Sequence, residues 1–148
     1  MMIRNRILSA VLGILSLGAF AASTSAQVQR VPNTGCPNAP YTSFTGAPAI
    51  GQGFGVIAAP CRTANGAPFI VIGVPGLNAV LSVPPGCERG CVLECRPIVV
   101  LAQSAWRTLI PLDRNLIGAV LCAQSGCVED LRPACIYLHG ALGIRITP

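Results

Sequence analysis

The segment "CERGCVLEC", residues 87–95, places Cys87, Cys91 and Cys95 four residues apart. Thiols so spaced can ligate a metal, exchange electrons or enter disulfides. Structural zinc sites use paired cysteines two to four residues apart. Here, however, the three-residue spacing of the triple is not repeated along the chain, and His139 is the only histidine. The C-x-x-C spacing of thioredoxin-like redox motifs is also missing. The cysteines at 36, 61, 87, 91, 95, 122, 127 and 135 make an even set of eight. Such a set in an exported chain is the signature of a disulfide framework. The eight candidates are therefore Cys36, Cys61, Cys87, Cys91, Cys95, Cys122, Cys127 and Cys135. Eight cysteines allow 105 connectivities, and one local expectation is Cys127–Cys135, closing the loop "VEDLRPA". On an extended strand Cys91 and Cys95 share a face and cannot comfortably bridge each other, so they are expected to reach different partners.

Other reactive side chains do not assemble into a motif. His139 stands in an apolar, strand-like context and reads as a structural histidine. Glu88, Glu94, Asp113, Glu129 and Asp130 fall mostly in turns, and Glu129 and Asp130, being adjacent, would point to opposite faces of a strand. Ser104 and Ser125 have no signature around them, and G-x-S-x-G, H-E-x-x-H, P-loop and EF-hand patterns are absent. Tyr41, Trp106 and Tyr137 can form a carbohydrate platform, but packing in the core or in turns is the better reading. The expectation is no catalytic residue, no metal and no cofactor.

The elements that must hold these residues are short. Arg4 and Arg6 precede an uncharged, apolar run from Ile7 to Ala22, followed by "STSA". This reads as a signal peptide over 1–26, too short for a membrane span, which needs about 20 residues. No membrane span is expected after its removal. The remaining chain is one domain: an irregular arm over 27–48, tied down by Cys36, and a β domain over 49–148.

The chain has 16 Gly and 13 Pro, a density that excludes long helices. Between them lie apolar, β-branched runs at 54–59, 68–74, 78–83, 91–95, 97–103, 106–112, 117–124, 135–140 and 141–147. Turn candidates stand at 64–68, 84–86, 112–115 and 124–126. Alternation is clearest where Leu142, Ile144 and Ile146 take one face and Arg145 and Thr147 the other. About eight short strands imply an all-β single-domain sandwich, or a partly open barrel, cross-linked by disulfides.

All ten basic residues are Arg, and the formal net charge is +5. The eight outside the signal stand singly, whereas nucleic-acid binding uses clustered positive charge. Nucleic acid is not an expected partner.

Several motifs occur in a familiar order: "NTGC" ending at Cys36, "PAIGQGF" (48–54), "FIVIGVP" (69–75), "GCVLEC" (90–95), "IPLDRNLIGAVLCAQ" (110–124) and "LHGALGIRIT" (138–147). The chain resembles a β-rich domain common at the C-termini of exported proteins of planctomycetes and myxobacteria. The family's commonest cysteines match Cys36 and Cys91, so the resemblance implies a Cys36–Cys91 bridge. It carries no assigned activity. The expected function is a secreted, non-catalytic surface, structural or adhesion module, extracellular, at the cell surface or periplasmic. Its partner would be an envelope glycan or another exported protein. The alternatives are a small secreted hydrolase or thiol-redox protein using His139 or a free thiol, and a secreted inhibitor.

Overall fold

A computed structural model describes residues 27–129 and 133–148. The expected signal segment, Asp130 and Arg132 lie outside them. Eleven strands follow in chain order: β1 (Val28–Arg30), β2 (Ser43–Gly46), β3 (Gly53–Ile57), β4 (Ala67–Val74), β5 (Ala79–Val80), β6 (Val92–Leu93), β7 (Arg96–Leu101), β8 (Ala105–Leu109), β9 (Val120–Glu129), β10 (Cys135–Leu138) and β11 (Leu142–Arg145). The large sheet runs β1-β11-β9-β4-β7, with β10 also on β9, and the small sheet runs β2-β3-β8. The sheets do not close into a barrel, and the fold is an all-β sandwich.

Strand β4 shows why the layers form. Its run Ile70, Val71 and Ile72 is buried throughout, so both faces of the large sheet must be covered. On one face Ile70, Ile72, Ala123, Leu142 and Ile144 pack against Phe54, Val56 and Ile110. Burying an Ile side chain stabilises by about 1.5–3 kcal/mol, so this layer is a principal source of fold energy. On the opposite face Val71 and Ala141 cluster with Cys95 and Cys122. Beside them Cys36 and Cys91 pack with Tyr137 and Leu138.

Two stretches differ from the sequence expectation. Residues 27–48 supply β1 to the large sheet and β2 to the small one. Both are polar, largely exposed edge strands, held by backbone pairing that leaves no hydrophobic period to read. "QSG" (124–126) is not a turn but the middle of β9, whose first half pairs with β11 and second half with β10. Gln124 and Ser125 are buried there with partners. A Cβ on Gly126 would lie 2.6 Å from the Phe69 ring, so the glycine admits that aromatic to the layer.

Four disulfides cross-link the sandwich: Cys36–Cys91, Cys61–Cys127, Cys87–Cys135 and Cys95–Cys122. Cys36 and Cys91 flank a backbone bridge in which Gly35 and Val92 exchange N–H···O bonds of 2.9 and 2.8 Å. The three cysteines of "CERGCVLEC" go to three different partners. The expected Cys127–Cys135 pair is corrected: Cys127 joins Cys61 and Cys135 joins Cys87. The register explains this, because Cys127 stands opposite Tyr137 and Cys135 opposite Glu129. Cys127 and Cys135 are thus diagonal neighbours, which lie roughly 7–8 Å apart with Cβ atoms somewhat closer, still beyond the roughly 3.5–4.5 Å between Cβ atoms that a disulfide spans. The loop between β9 and β10 is closed by strand pairing instead.

Candidate functional site

The first cluster that could do chemistry lies inside the fold. Ser125 on β9 and His139, in the link between β10 and β11, are brought together with Ser125 Oγ 2.7 Å from His139 Nδ1. Thr42, just before β2, places its Oγ1 3.0 Å from Ser125 Oγ and accepts from the Ser125 N–H at 2.8 Å. The two hydroxyls share one hydrogen bond, and either can donate it. The Ser125 hydroxyl and His139 Nδ1 share a hydrogen bond whose direction follows the imidazole tautomer. Burial lowers the His139 pKa, and the Arg62 charge adds to this. The Glu129 charge and the Pro60 carbonyl only partly offset the lowering. The pairing resembles a nucleophile and its base, but Ser125 and His139 are both 0% exposed. Sequence spacing gave no sign of the pairing, which depends on β9 lying beside the β10–β11 link.

Gln124 completes this interior network. Its Nε2 donates to the carbonyls of Val92 and His139, each at 2.9 Å, and its Oε1 accepts from the Glu94 N–H at 2.9 Å. The fully buried amide therefore ties β6 to the β10–β11 link, a structural use of all three bonds.

A second cluster surrounds a pocket of about 110 Å³ lined by Arg62, Glu88, Glu129 and Tyr137. Arg62 is ion-paired with Glu88. Its Cζ lies 3.7 Å over the Tyr137 ring, and its Nη2 is 2.9 Å from the Tyr137 hydroxyl. Glu129 accepts from the backbone N–H groups of Arg62 and Thr63, each at 2.9 Å, and from the Thr63 hydroxyl. Burial would raise the Glu129 pKa, but these hydrogen bonds and the Arg62 charge outweigh it and lower the pKa. Cys61, Cys127 and Glu129 also bring possible metal-ligand atoms together. Both sulfurs are joined in a disulfide, so neither is a thiolate able to ligate. The remaining acids are scattered: Glu94 accepts from the Gly76 N–H, and Asp113 caps the 3-10 turn Arg114–Leu116.

The third arrangement faces solvent. A groove of about 580 Å³ runs between β1 and β2, the edges of the two sheets, lined by Val28, Arg30, Tyr41, Phe44 and Leu142. Its size falls among small-ligand sites of roughly 300–1,000 Å³. Tyr41 is fixed by Gly140: a Cβ there would come within 2.4 Å of the Tyr41 ring. The Gly140 N–H donates to Pro40 and its carbonyl accepts from Thr42, both at 2.9 Å. Arg30 holds its Cζ 5.1 Å from the centre of the Tyr41 ring. Phe44 stacks on Phe54, with ring centres 6.1 Å apart, yet remains 45% exposed.

Comparison of the chain with models of protein families, with curated proteins and with solved structures gives no match in any of the three. The site is therefore argued from its own residues. The three candidate platform aromatics are separated: Tyr137 is buried, Trp106 packs against the main core and Tyr41 lines the groove. Arg30 and Phe44 are the groove residues that sequence reasoning missed. The one available signal was the spacing of Tyr41 and Phe44 within a polar stretch.

Proposed function

We propose that the protein is an exported, disulfide-stapled and non-catalytic adhesion or surface module. It holds an envelope glycan in the groove between β1 and β2. The observation that carries this reading is the groove itself: an aromatic ring fixed by backbone, a second ring left half-exposed and a cation, all open to solvent. A pyranose ring presents an aliphatic face that packs on such aromatic surfaces, while its hydroxyls stay hydrated. The Ser125–His139 pair supports the non-catalytic part, because both side chains are fully buried, out of reach of a substrate. Four disulfides suit an oxidising compartment, and among the described residues no helix is long and apolar enough to cross a membrane. The order of motifs, which resembles that of exported planctomycete and myxobacterial domains, supports a bacterial envelope setting.

The test is co-sedimentation of the secreted protein with isolated envelope polysaccharide, alongside the Tyr41→Ala/Phe44→Ala double variant. The wild type is expected to sediment with the polysaccharide and the variant to stay in solution while still unfolding in one cooperative transition, at a somewhat lower melting temperature. Wild-type protein remaining wholly in solution would refute the reading.

A further inference from the structure

The charge of the groove narrows its ligand. Arg30 is exposed on β1, where its guanidinium lies over the Tyr41 ring and is in no ion pair among the described residues. The only ion pair among the described residues is Arg62–Glu88, elsewhere on the molecule. No Asp or Glu lines the groove, whose other polar side chains are the hydroxyls of Tyr41, Thr42 and Ser43. A guanidinium carries five N–H donors in a planar fork that matches a carboxylate in two parallel bonds. Stacked over Tyr41, that fork loses little freedom on binding, because the ring already restricts it.

From this juxtaposition of a free guanidinium with two aromatic faces, we infer that the groove binds an acidic polysaccharide. A uronate carboxylate meets Arg30, which Tyr41 positions, while the sugar ring packs on the exposed side of Phe44. The inference rests on the glycan-binding reading above and names its ligand class. An acidic peptide would meet the same charge, but it would have to add to a sheet edge for affinity. The edges at the groove offer only three residues of β1 and four of β2. A short ladder gives few backbone bonds, whereas the exposed Phe44 ring suits a pyranose directly.

Calorimetric titration with polygalacturonate, dextran and polyglutamate tests this on the oxidised, secreted protein. Polygalacturonate is expected to bind, more weakly as salt is added because the charge is exposed. Arg30→Gln should lose about tenfold or more in affinity, the scale of a charge-assisted hydrogen bond. Tyr41→Leu should lose a similar factor, with the melting temperature of both variants held near wild type. Equal binding of dextran, retained in Arg30→Gln, would overturn the acidic ligand while leaving the glycan reading standing. Polyglutamate binding as tightly as polygalacturonate would overturn the sugar assignment. Binding to none of the three, with envelope polysaccharide still bound, would overturn the uronate alone. Failure with envelope polysaccharide as well would overturn both.

Discussion

Ser125 and His139 sit at the right distance for proton transfer and in the wrong place for a substrate. Their bond is a fold contact, and removing either member strands the other. Ser125→Ala leaves His139 Nδ1 without its buried partner, while Thr42 Oγ1 keeps only the backbone N–H of residue 125. It is expected to cost about 1–3 kcal/mol in urea unfolding. His139 also gives the fold a pH dependence. Its folded pKa lies below the ordinary value of about 6.5. Above that value the imidazole is neutral folded or unfolded, and its contribution is fully present. As pH falls below it, the unfolded chain binds a proton that the folded chain refuses, so stability declines. Glu129, whose pKa is also lowered in the fold, acts in the same direction from about pH 4.3 downward. Because His139 is the only histidine, the decline between neutral pH and about pH 5 should vanish in His139→Gln. Urea midpoints across this range, wild type against variant, provide the measurement. A wild-type midpoint flat with pH would contradict the burial argument.

At the scale of elements, the apolar runs were legible because both faces of β4 and the inner faces of β3, β8 and β11 are covered. Burial on that pattern must appear as β-branched and aromatic residues. β1 and β2 were not legible, since exposed edge strands need no apolar alternation. The groove inherits this blindness: Arg30 and Phe44 come from two edge strands far apart in sequence, joined only by the sandwich. The "QSG" segment looked like a turn because polar residues with glycine normally mark one. Here Gln124 and Ser125 are polar residues whose partners arrive from other elements. The framework carries its own prediction. Cys61 is the one partly exposed cysteine; the other seven are buried. Thiol–disulfide exchange needs access to sulfur. Under limiting reductant without denaturant, Cys61–Cys127 should open first, read by alkylation and peptide mapping. Prior loss of Cys95–Cys122, which lies in the core, would show that opening follows local unfolding rather than access.

The whole molecule has one edge that is poorly blunted. The large sheet ends at β1 on one side and β7 on the other. β1 is short, with Gln29 and Arg30 exposed, the ordinary protection of an edge. β7 has six residues, and Ile98, Val99 and Val100 are 71%, 40% and 57% exposed. Its protections are Pro97, which lacks an N–H, and a bulge where the register with β4 passes over Ile98. Both lie in the first half of the strand, leaving Val99 and Val100 beside an unpaired backbone. Exposed β-branched residues on an open edge favour pairing with another strand. Sedimentation velocity over a concentration series should therefore show the wild-type protein associating as concentration rises. Val100→Lys adds a charge at that edge and is expected to hold the protein monomeric. The substitution is at an exposed position, so stability should stay within about 0.5 kcal/mol of wild type. A wild type that stays monomeric throughout would mean that Pro97 and the bulge at Ile98 protect the whole strand.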